Sequence, residues 1–397
     1  MSAREFTYLD WAATSAIRPR EVIDAVTHYL EHVGASPGRG GHRLAIEADR
    51  VALACRQSLA RLLGLPGDSG RIAFMFNATH AINTALAGVL KSGDVLVVTA
   101  FDHNAVLRCA WKLGRERGVR VRMVAGSPDG QLDEAALDRA LVGARMLSIN
   151  GASNVLGTAL DVARLAAMAR NAGALTLVDT AQVAGELPFD AAAAGVDLVA
   201  ITGHKALLGP QGIGALWVRE SIDVEPLLVG GTGGNSMLRD MPPPYPDHLQ
   251  AGTLNAPGIA GLGAGVRWVL DRGVERIQRE AAALKLRLWD GLCRAPGVRM
   301  LSPRNADVPI VTITADGVDA GMLAGRLDRE HGVLVRSGLH CAPETHRLLG
   351  TDTTGALRFS VGWATTPQEV DRAIGALHML LDRRIHAAAA MVRTSAP

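Results

Sequence analysis

Between residues 46 and 218 the sequence alternates helix-period segments with short apolar runs, and that alternation leaves few architectures open. The runs are IAFMF at 72–76, DVLVVTA at 94–100, VRVRMVA at 119–125, RMLSIN at 145–150, LTLVDT at 175–180, LVAIT at 198–202 and GALWV at 214–218. Ahead of them, IEADRVALACRQSLARLLG places Ile46, Val51, Cys55, Leu59, Leu62 and Leu63 at helix spacing. The alternation predicts an α/β fold with a mostly parallel seven-stranded sheet and helices on both faces.

From about residue 266 the pattern changes. A long helical stretch leads into VPIVTITA, VLVRSG and LRFSVGW, with helices expected at 319–331 and 367–382, the pattern of a smaller α+β domain. The chain has 397 residues and is 48% hydrophobic, enough for two cores. The expected division is a large domain over 16–265 and a small one over 266–390, with residues 1–15 packing near the small domain and the site. MPPPYPDH at 241–248 is expected to be an irregular loop, and the terminal HAAAAMVRTSAP to fray.

Lys and Arg together number 41 against 39 for Asp and Glu, so the chain has no basic excess that would suit a nucleic acid. No run approaches the ~18–20 apolar residues of a membrane span, and the start, MSAREFTYLD, has no basic flank before an apolar stretch. The expectation is a soluble, cytoplasmic protein whose partners are small molecules or proteins. Cys55, Cys109, Cys293 and Cys341 form no CxxC pair, so no metal site is expected. Cys55 and Cys109 fall in helical patterns, as inert buried thiols do. Cys341 follows VLVRSG in a loop, where an accessible thiolate makes sense.

In an open α/β sheet, ligands bind beyond the carboxyl ends of the strands. There stand Thr79, His103, Asn154, Asp179 with Gln182, and Thr202 with His204 and Lys205, after five different strands. Thr79 alone would be an ordinary helix cap, and a lone loop lysine is ordinarily just solvated. Lys205, however, follows an apolar run, has His204 beside it and a glycine-rich turn after it, and Asp179 ends the preceding run. A lysine amine that forms an imine with an aldehyde, and a buried carboxylate that keeps a pyridine nitrogen protonated, are the two groups a pyridoxal phosphate site requires.

The chain resembles the fold-type I, class V aminotransferase superfamily, and within it the cysteine desulfurase and selenocysteine lyase branch. The resemblance is carried by YLDWAATS at 8–15, PGRGGHRL at 37–44, NATHAIN at 77–83, DHNAV at 102–106, SNVLGT at 153–158, VDTAQ at 178–182, TGHK at 202–205, QAGTLN at 250–255, VRSGLHCAP at 335–343 and LRFSVGW at 357–363. It implies pyridoxal 5'-phosphate held by Lys205, with Asp179 on the pyridinium, Gln182 on the ring oxygen, His103 stacked on the ring and Asn154 orienting ring and substrate. It assigns the phosphate to Thr79, Thr202 and His204, with Thr253 supplied by the second subunit of a homodimer. Arg358 would clamp the substrate carboxylate through two parallel hydrogen bonds. Cys341 would take sulfur from L-cysteine, assisted by Arg336 or His340, and pass it to an acceptor protein.

Three positions depart from the pattern. Trp11 replaces a usual asparagine or serine and is expected near the mouth of the site, while Asn104 and Leu339 stand where relatives carry histidines. Selenocysteine lysis would use the same parts. An aminotransferase, racemase or other β-lyase would leave Cys341 a bystander, and a non-catalytic sulfur-relay subunit would keep only the fold. GGTGGNS at 230–236 lacks the Lys-Ser/Thr pair of a P-loop and reads as a flexible wall. PGRGGHR at 37–43 reads either as a plain turn or as an entrance where Arg39 and His42 meet substrate or the other subunit.

Overall fold

The computed structural model describes residues 6–38, 40–65, 67–234 and 237–394, with side chains described as far as Asp382. Arg39, Asn235, Ser236 and the last three residues of the expected frayed tail lie outside the described residues.

The chain begins with β1 (Thr7–Tyr8), α1 (Arg20–His28), prolonged by a π-helical turn at Tyr29–Val33, and α2 (Arg43–Leu62). Then come β2 (Ile72–Met75), α3 (Ala78–Val89), β3 (Val95–Thr99), α4 (Asn104–Arg117), β4 (Arg120–Val124), α5 (Glu134–Leu141) and β5 (Met146–Asn150). They are followed by α6 (Val162–Asn171), β6 (Leu175–Asp179), α7 (Ala191–Ala194), β7 (Leu198–Thr202) and β8 (Gly214–Val218). The second part contains α8 (Ala256–Arg272), α9 (Val274–Leu292), β9 (Val298–Met300), β10 (Ile310–Ala315) and α10 (Ala320–His331). It closes with β11 (Val333–Leu334), β12 (Arg336–Gly338), α11 (Pro343–Leu349), β13 (Ala356–Ser360) and α12 (Pro367–Thr394). The tail expected to fray is thus helical to Thr394.

All seven apolar runs of the sequence become strands of one sheet, in the order β2-β8-β7-β6-β5-β3-β4. Only β8 runs antiparallel to its neighbours. The runs are apolar at successive positions because both faces are covered. Val95, Val97, Val199 and Ile201 enter a core with α2, α5, α6 and α8, whereas Leu96, Val98, Leu198 and Ala200 enter another with α3 and α4. The helices start on side-chain caps from Asn77, His103, Asp133, Asp161 and Asn255, each accepting a backbone N–H that the first helical turn leaves unpaired.

A second sheet, antiparallel in the order β12-β13-β10-β9, packs with α9, α10 and α12 around its own core. Residue 266, where the sequence changes character, lies inside α8; that helix runs on to Gly273, whose φ of +83° turns the chain into α9. The N-terminal segment joins the second core: β1 pairs in parallel with β11, and Leu9 is buried there. Residues 153–158 bridge the two sheets. Thr312 Oγ1 donates to Val155 O at 2.6 Å, and at Gly157, φ +79°, any Cβ would stand 3.2 Å from Val308 O. Among the described residues no helix is long and apolar enough to cross a membrane.

Candidate active site

A cavity of about 250 Å3 opens at the carboxyl ends of the parallel strands, against the second sheet. Thr79, His103, Asn154, Asp179, Gln182, Thr202, His204, Lys205 and Arg358 all line it, so nine residues named from the sequence meet in one place. Thr253 does not; it is exposed, just ahead of α8.

Lys205 sits in the turn after β7. That turn is fixed by Gly203 N–H to Ile213 O at 3.0 Å, Gly209 N–H to Gly203 O at 2.8 Å and Leu208 N–H to Lys205 O at 2.8 Å. The N-terminal segment holds it from the other side: Ser15 Oγ donates to Lys205 O at 2.8 Å and Thr14 Oγ1 to His204 O at 3.2 Å. Burial pushes the Lys205 amine down to about 8, with Asp179 opposing and Arg358 and Arg336 adding to the depression. Burial also raises the Asp179 carboxyl, against the Ala181 N–H that donates to Oδ1 at 2.9 Å and against the Lys205 charge. A buried carboxylate of this kind calls for a cationic partner.

His103 caps α4, its Nδ1 accepting Ala105 N–H at 3.0 Å. The proton of the neutral ring is therefore on Nε2. Burial, then the Lys205, Arg336, Arg358 and Arg108 charges, take its pKa down to about 4, so the ring is neutral at physiological pH. His204, its Nδ1 3.0 Å from Thr14 Oγ1, is likewise lowered to about 4 by burial and Lys205. The cap of α3 is Asn77, whose Oδ1 accepts His80 N–H at 2.9 Å; Thr79 is already within the helix and exposed, so the capping role expected of it belongs two residues earlier. Asn77, Ala78 and Thr79 present that helix end to the cavity, an arrangement that favours an anion.

Arg358 on β13 is fully buried. Its Nη2 donates to Asp10 Oδ1 at 2.8 Å and its Nη1 to Asn154 O at 3.0 Å, while Nε has no partner. Thr202 Oγ1 and Asn154 Oδ1 are buried without partners too. Each such atom costs about 1–3 kcal/mol unless something pairs with it. The cavity wall itself presents Lys205, Asp179, Gln182, His204 and the start of α3. A ring with a basic nitrogen, an aldehyde and a phosphate fits that donor and acceptor set.

Cys341 is exposed and is not part of the cavity wall; the residue that spans the two is Arg336, which lines the cavity and donates through Nη2 to Cys341 Sγ at 3.6 Å. His340 and Cys341 both adopt left-handed backbone, φ +49° and +58°, at a cost on the order of 1–2 kcal/mol each. Two backbone-carbonyl contacts hold that turn: Asn154 Nδ2 donates to His340 O at 2.6 Å and Asn104 N–H to Cys341 O at 2.8 Å. Of the two residues expected to assist the thiol, Arg336 touches the sulfur. The His340 ring is turned instead toward His346 and Arg336 O.

Trp11 is not at the mouth. It is buried, with Nε1–H donating to Tyr8 O at 3.0 Å, and packs on Gly362, where a Cβ would come within 2.2 Å of the indole. It lies behind the cavity, lining a small void with Gln182, Glu186 and Lys205. Asn104 and Leu339 do not line the cavity either: Asn104 serves through its backbone, and Leu339 is surface-exposed. Sequence reasoning assigned no role to Asp10, Thr14 or Ser15, although all three lie in the YLDWAATS segment.

Residues 7–373 match the family Aminotransferase class-V. A probable cysteine desulfurase of Pseudomonas aeruginosa is 35% identical, covering 96% of this chain and 95% of that protein. One from Methanothermobacter thermautotrophicus is 32% identical over 92% of each. The apo structure of a cysteine desulfurase from Thermococcus onnurineus superposes with a TM-score of 0.88 at 30% identity, covering 95% of both chains. Sequence, fold and cavity agree, and the chain belongs to the class V aminotransferase family.

Proposed function

We propose that this chain is a pyridoxal phosphate-dependent cysteine desulfurase that converts L-cysteine to L-alanine and leaves a persulfide on Cys341. The observation that carries this reading is Arg336, which reaches from the cavity to Cys341 Sγ and so connects the substrate space to an exposed thiol. A bystander cysteine would need no such link.

In this reading Lys205 would hold the cofactor aldehyde, Asp179 the pyridine nitrogen and Gln182 the ring oxygen, and His103 would stack on the ring. Thr202 Oγ1, His204 and the start of α3 with Thr79 receive the phosphate. When bound, the cofactor supplies an electron sink for the substrate α-carbon. Arg358 is partly occupied by Asp10 and by Asn154 O, and both Arg358 and Asn154 line the cavity that the substrate carboxylate would enter. When not holding the cofactor, the Lys205 amine, lowered to about 8 by burial, could hold or release a proton at Nζ close to neutral pH. His103 carries a proton on Nε2 and stays neutral when it approaches cationic neighbours. The net reaction balances: the C–S bond of L-cysteine breaks, an S–S bond to Cys341 forms, and the carbon that loses sulfur takes up the proton that leaves the attacking thiol.

The active unit in this reading is a homodimer in which Thr253 completes the phosphate shell of the other copy. Its exposure, away from the cavity of its own chain, supports that placement. The exposure of Cys341 suits delivery of the outer sulfur to an acceptor protein. The test supplies L-cysteine, L-selenocysteine and a panel of other amino acids to holoenzyme, quantifying alanine with sulfide or selenide and weighing the Cys341 peptide by mass spectrometry. One extra sulfur on that peptide with alanine formed from L-cysteine is expected. Amino-group transfer to a keto acid with an unmodified Cys341 peptide would replace this reading with a transaminase.

A further inference from the structure

Behind the Cys341 loop, three buried side chains that the mechanism above does not use form a continuous line. Thr351 Oγ1 lies 2.8 Å from His346 Nδ1, His346 Nε2 lies 3.1 Å from His340 Nδ1, and His340 Nε2 lies 3.4 Å from Arg336 O. His340, His346 and Thr351 are each no more than 2% exposed. Arg336 O sets the direction of the line; the Thr351 hydroxyl alone would not, since His346 O lies 3.4 Å from it as a second acceptor. Arg336 O is a carbonyl and can only accept, so His340 carries its proton on Nε2. Its Nδ1 is then a lone pair and must accept from His346 Nε2–H. His346 Nδ1 in turn must accept from the Thr351 hydroxyl. Burial keeps both rings neutral, so the line holds one proton per ring and runs one way.

We infer that His346 is a positioning residue for Cys341: through the line Thr351–His346–His340 it fixes the His340 ring and, with it, the left-handed turn that holds Cys341 Sγ against the Arg336 guanidinium. The ring of His340 bonds back to the carbonyl of Arg336, closing residues 336–340 into a loop. That closure brings the guanidinium of Arg336 and the thiol of Cys341 together at 3.6 Å. Two successive non-glycine residues at positive φ revert to ordinary backbone unless several contacts oppose it. The carbonyls of both are held by Asn154 and Asn104, and Arg336 touches the Cys341 sulfur, while the line through His346 holds the His340 ring. The base of that line is itself anchored: Thr351 N–H donates to His346 O at 2.9 Å, and Thr345 Oγ1 ties α11 to Ala100 O at 2.8 Å.

The consequence for turnover rests on the reading of Cys341 as the sulfur-accepting thiol; the geometry does not. The experiment uses the full-length holoenzyme. His346→Met removes the donor and keeps a flexible apolar chain, whereas His346→Gln keeps an amide N–H where Nε2–H stands. In the Met variant, alkylation of Cys341 by iodoacetamide, followed on the Cys341 peptide, is expected to slow about fivefold. The kcat for alanine release from L-cysteine is expected to fall about tenfold, with KM changed by less than about twofold. The Gln variant should recover most of both losses. In wild-type protein labelled with 15N-histidine, both rings should report as Nε2–H tautomers. An Nδ1–H tautomer at either ring, or a folded Met variant that alkylates at the wild-type rate, would overturn the inference. Slowed alkylation with unchanged kcat would uphold the positioning and sink the sulfur-acceptor reading instead. Should the Met variant not fold, Thr351→Val, which removes the terminal O–H, is read by the same two rates.

Discussion

Around Lys205 the polar groups stand at strand ends and in the turns that follow, fixed by backbone hydrogen bonds such as Gly203 N–H to Ile213 O at 3.0 Å. Around Cys341, by contrast, the chain leaves the sheet, takes two strained conformations in succession, and relies on side chains from elsewhere to hold them. The first region inherits its geometry from a sheet covered on both faces. The second is assembled from an asparagine of the segment that bridges the two sheets, a helix start and a buried histidine pair. A substitution near Lys205 should therefore act on chemistry and leave the frame intact, whereas one near Cys341 can act through the frame.

The largest effect should come from Lys205→Ala. The loss of both the cofactor link and the proton carrier should lower alanine formation from L-cysteine by at least about 10³-fold. It should also abolish the yellow absorption of reconstituted protein, while the melting temperature of the apoprotein holds or rises, since a buried amine is removed. A variant that kept wild-type turnover would place the reactive amine elsewhere and dissolve the contrast between the regions. Cys341→Ala comes next. Persulfide should disappear from the residue 341 peptide and sulfide release should fall roughly 10²-fold, with the absorption spectrum and cofactor affinity unchanged because the side chain lies outside the cavity wall. A shifted spectrum in that variant would mean that the two regions are less separate than the cavity lining implies.

Much of the first region was legible because its signals are local. Each short apolar run is a strand, and a polar residue one to four positions past the end of five of them lines the cavity. Even there, the cap of α3 is Asn77, two residues before Thr79, because the helix starts earlier than the apolar pattern AINTALAGVL. The second region depends on pairs far apart in sequence. Asn154 meets His340 across 186 residues and Asn104 N–H meets Cys341 O, and nothing in the neighbourhood of either partner announces the other. Trp11 was misplaced for the same reason: its location is set by a glycine at 362 that leaves room for the indole. Gly362→Ala tests this directly. A methyl within 2.2 Å of the indole has to displace it, and overpacking of that kind costs about 1–3 kcal/mol, which should appear as a lower melting temperature. A Trp11→Ala, Gly362→Ala double variant should lose less than the sum of the two single changes. Full additivity would show that the two residues do not share the space.

The smallest effect separates the regions by pH. His346 is buried, and that burial lowers its pKa to about 4, with Asp352 opposing. An unfolded histidine titrates near 6.5. Above about pH 6.5 the ring is neutral in both states and contributes no pH dependence. As the pH falls from there toward 4 the unfolded chain takes up a proton that the folded chain refuses, so stability drops, by about 1.4 kcal/mol at pH 5.5. His346→Gln removes this titration while keeping the donor to His340. The difference between wild type and variant in urea unfolding free energy, measured at pH 7.5 and 5.5, isolates it from His103 and His204, which are lowered to about 4 as well and titrate identically in both proteins. The variant should lose less stability on acidification than wild type. Equal losses would mean that the His346 ring is protonated in the folded protein, and a charged ring there could not keep the one-way line of hydrogen bonds that holds the Cys341 turn.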